Sequence, residues 1–168
     1  VRLNQTVPRE DLVFLARHDS DPYNRWQAVQ SLATQTLIAR TKSDPQDSGT
    51  AGVEQLITVL RGLLEDPQLD PALKAQALPP PGEADIAQEI GKNVDPDAIH
   101  RARSSLSADV GIRLRDLLRP VAEDHAGAAP FTPDAMSAGK RALSNRALHY
   151  YALSGEASAS RLDSGRFD

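Results

Sequence analysis

The sequence predicts an all-α protein: an irregular array of antiparallel helices, similar to helical-repeat proteins, with at most one short strand at its N-terminus. Apolar residues recur at helical spacing in several separate stretches, whereas a strand-like alternation occurs only weakly in residues 1–7. The stretches often follow a helix-start signal, an Asp-Pro pair, as at Asp21, Asp70 and Asp95. Asp caps a first turn and Pro suits its first position. We expect seven to nine helices.

Length and charge set the broad class of the protein. At 168 residues the chain is about one domain long and can bury a core. A net charge of −4 argues against nucleic-acid and anionic-membrane partners, which require a basic surface. Local basic clusters are interpreted as solvated helix faces. They are Arg101 with Arg103, Arg113 with Arg115 and Arg119, and Lys140 with Arg141 and Arg146.

Composition also bears on the compartment. The sequence contains no apolar run of about 18 residues, the length that a membrane span requires. It contains no charged-then-apolar leader that resembles a signal peptide. The absence of cysteine removes disulfides and thiolate metal sites. These observations favour a cytoplasmic protein.

The N-terminal quarter predicts a lead-in and two helices. Residues 1–7 suit a short strand or an extended lead-in, and residues 8–168 form the helical part. Pro8 begins the first helix, which ends at a polar break. Pro22 begins the second, which should run to about Arg40.

The second helix carries the only tryptophan, Trp26. Its neighbours recur at helical spacing, so the ring is predicted to lie on the buried stripe. A buried indole N–H requires a hydrogen-bond partner. We interpret Trp26 as a packing anchor rather than as a ligand platform. The stripe comprises Tyr23, Trp26, Val29, Ala33 and Leu37.

The middle of the chain predicts three further helices. Residues 41–52 are rich in Ser, Asp, Gly and Pro and predict a loop, and a helix over residues 53–65 follows it. The next helix covers residues 70–78 and ends at Pro79–Pro81, because proline cannot donate a helical hydrogen bond. A further helix is predicted over residues 82–90.

Two interruptions are predicted in the following segment. A helix begins near Asp97, and Ser104–Ser107 are expected to interrupt it. Pro120 lies inside the next apolar stripe, where it removes a donor and crowds the carbonyl four residues earlier. We therefore expect a kink near Asp116 or a helix end at Arg119.

The last long helix is predicted to be capped by Thr132, with Pro133 in its first position. Ser154-Gly155 is predicted to end it, and residues 158–167 to start a further element. Leu162 and Phe167 begin that element with no helix after it, beneath the helix that carries Tyr150 and Tyr151. We therefore expect exposed apolar surface at this end of the chain.

No catalytic, cofactor-binding or metal-ligating residue is predicted. A zinc peptidase requires two His one helical turn apart with a Glu beside the first, and the sequence lacks this pattern. Glu65-Asp66 is interpreted as a helix boundary rather than an acid–base pair. Gly-x-Ser-x-Gly and the glycine-rich phosphate-binding motifs are also absent. The scattered histidines are His18, His100, His125 and His149, of which the first and third fall near predicted helix ends.

The order of several motifs resembles the C-terminal helical domain of bacterial aminopeptidase N, a zinc-dependent family of the thermolysin-like superfamily. The resemblance begins at Asn24–Trp26 and extends to Lys140–Asn145, which is similar to the family's Arg-x-Leu-x-Asn helix. Each motif alone is unspecific because it reflects helix packing, but their order and spacing cover nearly the whole chain. The others are Ala28, Gln30–Leu32, Leu63–Asp66, Leu69–Leu73, Ala77–Pro79, Val94–Pro96, Ile99, Leu148, Tyr150, Ala152–Leu153 and Gly155–Glu156.

The resemblance implies a structural role. In the family, a β-rich domain, a catalytic domain with one zinc and a β-sandwich precede the helical domain, so residues 1–7 would end the sandwich. The family's zinc-binding helix and Gly-x-Met-x-Asn motif are absent from this sequence, so no catalytic residue or zinc ligand is carried over. The implied partners are the catalytic and sandwich domains, and short peptides in the full enzyme. The implied role is to close the catalytic cleft, restrict substrate access and steady the closed assembly.

A second hypothesis remains open, a free-standing helical scaffold or adaptor that binds a peptide or partner helix in an apolar groove. The gene distinguishes the two, because a peptidase parent should encode His-Glu-x-x-His one to two domains upstream of Val1. The chain starts without Met and stops at Asp168 within a helical pattern, as expected for a processed chain or an excised fragment.

Overall fold

The computed structural model describes residues 7–42, 50–123 and 133–164, except for the side chains of 156–164. In these segments it contains eight α-helices and no strand, which confirms the all-α prediction. The predicted N-terminal strand lies outside the described residues apart from Val7. The helices are α1 (Arg9–His18), α2 (Pro22–Thr41), α3 (Thr50–Glu65), α4 (Pro71–Ala77), α5 (Glu83–Ile90), α6 (Pro96–Arg113), α7 (Arg115–Glu123) and α8 (Ala135–Ser164).

The three Asp-Pro signals begin helices as predicted. The carboxylates of Asp21, Asp70 and Asp95 each accept a hydrogen bond from a first-turn backbone N–H, at 2.8, 2.6 and 3.0 Å respectively. The proline after each Asp occupies a first-turn position where no donor is needed. These starts were predictable because every contributing group lies within three residues.

Two predicted boundaries differ because tertiary packing extends the helices. α3 begins at Thr50, so the predicted loop is too long at this end; Gly52 is buried against the side chains of Arg9 and Thr36. Ser104–Ser107 do not interrupt α6. Leu106 is only 1 % exposed within that segment, and its burial favours continuation of the helix.

The break between α6 and α7 lies at Leu114, which adopts φ −108° and ψ 12°. α7 then continues through Pro120 to Glu123. The interruption predicted near Asp116 therefore lies two residues earlier, and the alternative prediction of a helix end at Arg119 is wrong. Because a new helix starts just before Asp116, Pro120 removes only one bond of a short helix, the one to the Asp116 carbonyl.

Hydrogen bonds compensate for the break at Leu114. Its N–H donates to the carbonyl of Val110 at 3.0 Å, and its carbonyl accepts from the N–H of Leu118 at 2.9 Å. The Arg61 guanidinium donates to the carbonyl of Arg113 at 2.8 Å, which satisfies a group at the end of α6. The chain therefore changes direction with its backbone groups still bonded.

α8 differs from its prediction at both ends. Asp134 accepts a hydrogen bond from the N–H of Ser137 at 2.8 Å and caps the helix, so Pro133 is not its first residue. The predicted cap, Thr132, lies outside the described residues. Ser154-Gly155 does not end the helix, because α8 continues to Ser164. The prediction of a separate element at 158–167 is therefore wrong for residues 158–164. Ser154 is fully buried, so this turn is stabilised by packing.

One core joins the helices. α2 packs against α1, α3, α4, α5 and α6, whereas α8 packs against α4, α6 and α7. α6 contacts both α2 and α8 and so connects the two groups. The close approach of α8 to α6 and α4 uses Gly111 and Gly139, which present no side chain at the crossings. The bulkiest side chains buried below 2 % exposure include Leu32, Leu37, Ile86, Ile99, Leu106, Leu114 and Leu118.

Candidate interaction surfaces

The histidines are dispersed in the structure. The His18 ring contacts the Phe14 ring in a tilted arrangement with centroids 5.0 Å apart, and His100 Nδ1 lies 3.0 Å from Glu83 Oε1. His149 lies edge-on to Tyr150, and His125 falls outside the described residues. Among the residues that the structure describes, no three His, Cys, Asp or Glu side chains are grouped so as to hold a metal. The described residues therefore do not fit a zinc ion.

Side chains from two helices bind the backbone around the prolines that follow α4. We name residues 76–81 the proline segment. The Gln30 amide donates to the carbonyl of Pro79 at 3.2 Å, and Arg103 Nε donates to the carbonyl of Pro81 at 2.7 Å. Three consecutive prolines provide no N–H groups, so neighbouring carbonyls require partners from elsewhere in the fold.

Two aromatic residues complete this arrangement. Trp26 Nε1 donates to the carbonyl of Gln76 at 3.3 Å, and the Tyr150 hydroxyl donates to the carbonyl of Leu78 at 3.0 Å. Tyr150 is only 2 % exposed, and burial raises the pKa of its hydroxyl to about 12. The proline segment is therefore held by α2, α6 and α8 together.

Trp26 lies at the edge of the core. Its side chain is half-buried, and Tyr23 beside it is 62 % exposed. The predicted buried stripe of α2 is therefore wrong at its N-terminal end, where Tyr23 is exposed and Trp26 is only half-buried. The predicted N–H partner is present, the carbonyl of Gln76. The buried face of α2 consists of Ala28, Val29, Leu32, Ala33, Thr36 and Leu37.

Two cavities adjoin these helices. One of about 10 Å³ lies beside the proline segment and is lined by apolar groups that include Leu78 and Val110. It holds no more than one water and is a packing gap. The other, about 390 Å³, is an open cleft beside the end of α2, where Lys42, Lys92 and Glu89 are exposed. Its mixed charges select no ligand class.

Several of the basic residues predicted to be solvated form specific contacts instead. Arg113 pairs with Glu54 on α3. Arg115 donates to the Ser154 hydroxyl at 2.6 Å and lies over the Tyr151 ring, 4.5 Å from its centroid. These contacts join helices that are distant in sequence, so Arg113 and Arg115 stabilise the packing of those helices.

The helix α1 exposes apolar side chains on the side away from the core. Phe14 is 64 % exposed and Leu15 is 36 % exposed, whereas Leu12 and Ala16 on the opposite side are buried. Asp11, Phe14, Leu15 and His18 follow the i, i+3, i+4, i+7 spacing of one helix stripe. We name these four residues the outward face of α1.

Among the described residues Tyr150 does not contribute to the expected apolar surface, because α4, α6 and α7 pack against α8. The side chains of Leu162 and Phe167 lie outside the described part of the chain. Tyr150 is buried and Tyr151 is half-buried. Met136 and Leu148 on α8 are exposed singly, as is normal on a protein surface. The sequence analysis did not predict that Phe14 and Leu15 are exposed, because exposure depends on which helices pack against α1.

None of the helices in the described segments combines the length and the hydropathy that a bilayer span requires. This finding applies to α8 as well, although it is the longest helix, with 30 residues.

Comparison with known proteins identifies the family. Residues 9–168 match the family described as "Domain of unknown function (DUF3458_C) ARM repeats". The chain is 34 % identical to aminopeptidase N of Caulobacter vibrioides over 86 % of this chain and 16 % of that protein. It is 30 % identical to aminopeptidase N of Escherichia coli, over 70 % of this chain and 13 % of that protein.

A third relative has the same name, aminopeptidase N of Haemophilus influenzae. It is 28 % identical over 69 % of this chain and 13 % of its own length. The chain thus spans about one-sixth or less of these relatives. The family match covers α1 to α8 and agrees with an array of packed helices. The resemblance drawn from the motifs is confirmed: the chain belongs to the DUF3458_C family of ARM-repeat domains, the helical C-terminal domain of aminopeptidase N.

Proposed function

We propose that this chain is the non-catalytic helical domain of a cytoplasmic zinc aminopeptidase, in which it closes the catalytic cleft and limits access to short peptides. One observation carries the proposal. Relatives named aminopeptidase N align with 69–86 % of this chain, yet the alignment covers only 13–16 % of them. The catalytic groups of such a protein would therefore lie in its other five-sixths, and zinc would be held there.

The polar side chains described here support a structural role. Arg61 binds Asp116 through two hydrogen bonds, of 2.7 and 3.1 Å, which raise the pKa of Arg61 and lower that of Asp116. Arg103 and Tyr150 bind the proline segment. These bonds hold the helices together. A firmly connected helical array is suited to move as one rigid body when it closes over a catalytic cleft.

The first test concerns the parent gene. We expect the reading frame upstream of Val1 to encode His-Glu-x-x-His on a predicted helix, one to two domains away. A gene without this motif would overturn the aminopeptidase proposal. It would favour the free-standing scaffold, in which the outward face of α1 is the observation that suggests a partner-binding surface.

The second test concerns access to the cleft in the full-length protein. A Gly111→Ala variant should loosen the crossing of α6 and α8, because the added methyl meets the backbone of Tyr150. Gly62→Ala is the matched control, since its added methyl has no neighbour within 4 Å. The measurement is the rate of N-terminal cleavage of a long unfolded polypeptide relative to that of a dipeptide.

Gly111→Ala should raise this ratio, and Gly62→Ala should leave it unchanged. If a catalytically active Gly111→Ala protein, shown by hydrogen exchange to have a loosened α6–α8 crossing, retained the wild-type ratio, the access-limiting role would be excluded.

A further inference from the structure

The outward face of α1 is the apolar surface that most clearly lacks a neighbour in the described segments. Phe14 is the most exposed large apolar side chain among these residues, at 64 %. Its ring contacts His18 on the same helix, so the pair is arranged side by side on the surface. Leu15 extends the patch, and Val7, at 38 % exposure, lies just before the helix.

This patch conflicts with the usual design of helical arrays. α1 packs principally against α2 and α3, so it is an edge helix of the described array. The outer face of an edge helix in a repeat protein is normally polar, because nothing stacks on it. An edge that exposes adjacent Phe and Leu side chains indicates a surface that another protein body covers.

The other exposed apolar residues do not make such a patch. Tyr23 directs a hydroxyl-bearing ring to solvent and contacts Trp26. Met136 and Leu148 are 12 positions apart on α8 and stand singly. The outward face of α1 combines two adjacent apolar side chains with the flanking charge of Asp11 and the polar ring of His18. An apolar centre with a polar rim is typical of a protein interface.

We propose that the outward face of α1 is the docking surface for the part of the parent polypeptide that precedes this helical domain. The occupant is chosen from the length of the relatives, since about five-sixths of an aminopeptidase N lies outside the region that aligns with this chain. A covalently attached body is present at high effective concentration, so it requires less apolar contact area than a free partner would. This inference rests on the proposed function.

The absence of cysteine from this chain allows a direct test. Phe14→Cys and Leu15→Cys each place one thiol on the outward face of α1, and Met136→Cys places one on the exposed start of α8. Each variant is prepared both as the 168-residue chain and within the full-length protein encoded by the gene. The rate of alkylation by iodoacetamide at each position is measured by mass spectrometry of its peptide.

All three thiols should react at the rate of an exposed thiol in the 168-residue chain. In the full-length protein, the thiols at positions 14 and 15 should react at least about tenfold more slowly, whereas the thiol at 136 should keep its rate. Equal rates at position 14 in the two contexts would overturn the docking surface. A uniform slowing at all three positions would also overturn it, because the protection would not be specific.

A Phe14→Glu variant provides a second measurement. It should leave the thermal midpoint of the 168-residue chain unchanged, because Phe14 contacts little within the domain, and lower the midpoint of the helical domain in the full-length protein. An unchanged midpoint in both contexts would argue against docking. Sedimentation tests a different occupant, since self-association of the 168-residue chain that Phe14→Glu abolishes would assign the face to a second copy.

The outcomes separate this inference from the proposed function. A gene without an upstream zinc-peptidase motif overturns both. A full-length protein that is an active aminopeptidase but leaves position 14 fully reactive overturns only the docking surface. An active full-length protein in which positions 14 and 15 are protected supports both.

Discussion

The hydroxyl of Tyr150 donates a hydrogen bond of 3.0 Å to the carbonyl of Leu78, 72 positions earlier in the chain. Leu78 follows the last residue of α4 and precedes three prolines, so its carbonyl has few backbone donors within reach. The bond ties the longest helix of the described segments to the proline segment at a buried site. Disturbing it should therefore affect the whole domain rather than α8 alone.

Replacement of Tyr150 by Phe should lower the free energy of unfolding by about 1–2 kcal/mol, because the buried carbonyl of Leu78 loses its donor while the ring still fills the site. Urea denaturation followed by circular dichroism measures this difference. Tyr23→Phe is the control, since Tyr23 is 62 % exposed and its hydroxyl faces water. Equal midpoints for Tyr150→Phe and wild type would contradict the role assigned to the bond.

The pKa of Tyr150 also predicts an alkaline loss of stability. Burial raises this pKa to about 12 in the folded protein, from 10.0 for an unperturbed tyrosine. The unfolded chain releases the proton first, so stability is fully present below pH 10 and declines as the pH rises through 12. The full difference corresponds to about 3 kcal/mol.

The check is the free energy of unfolding measured between pH 9 and pH 11. The decline above pH 10 should be smaller in Tyr150→Phe, which has no titratable hydroxyl at that site. A variant that loses stability as steeply as wild type would show that another group causes the alkaline transition.

Gly111→Ala should destabilise the domain by about 1–3 kcal/mol, since overpacking at a tight crossing forces helices apart. The added methyl would collide with the carbonyl of Tyr150 on α8. Gly62→Ala makes the same change in α3 with no neighbour within 4 Å, and it should stabilise by about 0.5–1 kcal/mol. The thermal unfolding midpoints of the two variants measure these effects. A higher midpoint for Gly111→Ala than for wild type would contradict the close approach of α6 and α8.

Trp26→Ala should lower the free energy of unfolding by about 2 kcal/mol, less than the 3–5 kcal/mol of a fully buried ring. The indole is half-buried, and its lost N–H frees the carbonyl of Gln76 to bind water. Leu32→Ala serves as the core reference, because Leu32 is completely buried. Equal losses for the two variants would place Trp26 in the core after all.

Local chemistry explains which parts of the fold the sequence could predict. The caps at Asp21, Asp70 and Asp95 depend on groups within three residues, so each helix start followed from its own segment. The break at Leu114 depends on Arg61, 53 positions earlier, which binds the carbonyl of Arg113 beside it. A prediction from Pro120 alone therefore placed the interruption too late.

Surfaces were harder to predict than helix starts. Phe14 and Trp26 both occur in apolar patterns, yet one is mainly exposed and the other is half-buried. Burial depends on which helix lies opposite, and that pairing is set by the whole array. The family was nevertheless predictable. Each short packing motif carries little information alone, but the order of the motifs along the chain identifies the family.

The proline segment also constrains how the domain is made. Its four side-chain donors come from residues 26, 30, 103 and 150, which are synthesised long before and long after it. When the proline segment leaves the ribosome, only its α2 donors, Trp26 and Gln30, have been synthesised. Its last partner, Tyr150, follows about 70 residues later. At a translation rate of ~5–20 residues per second, the Leu78 carbonyl stays hydrated for several seconds before Tyr150 is synthesised. Vectorial synthesis therefore holds the domain incomplete until α8 arrives, and a chaperone has that interval in which to act.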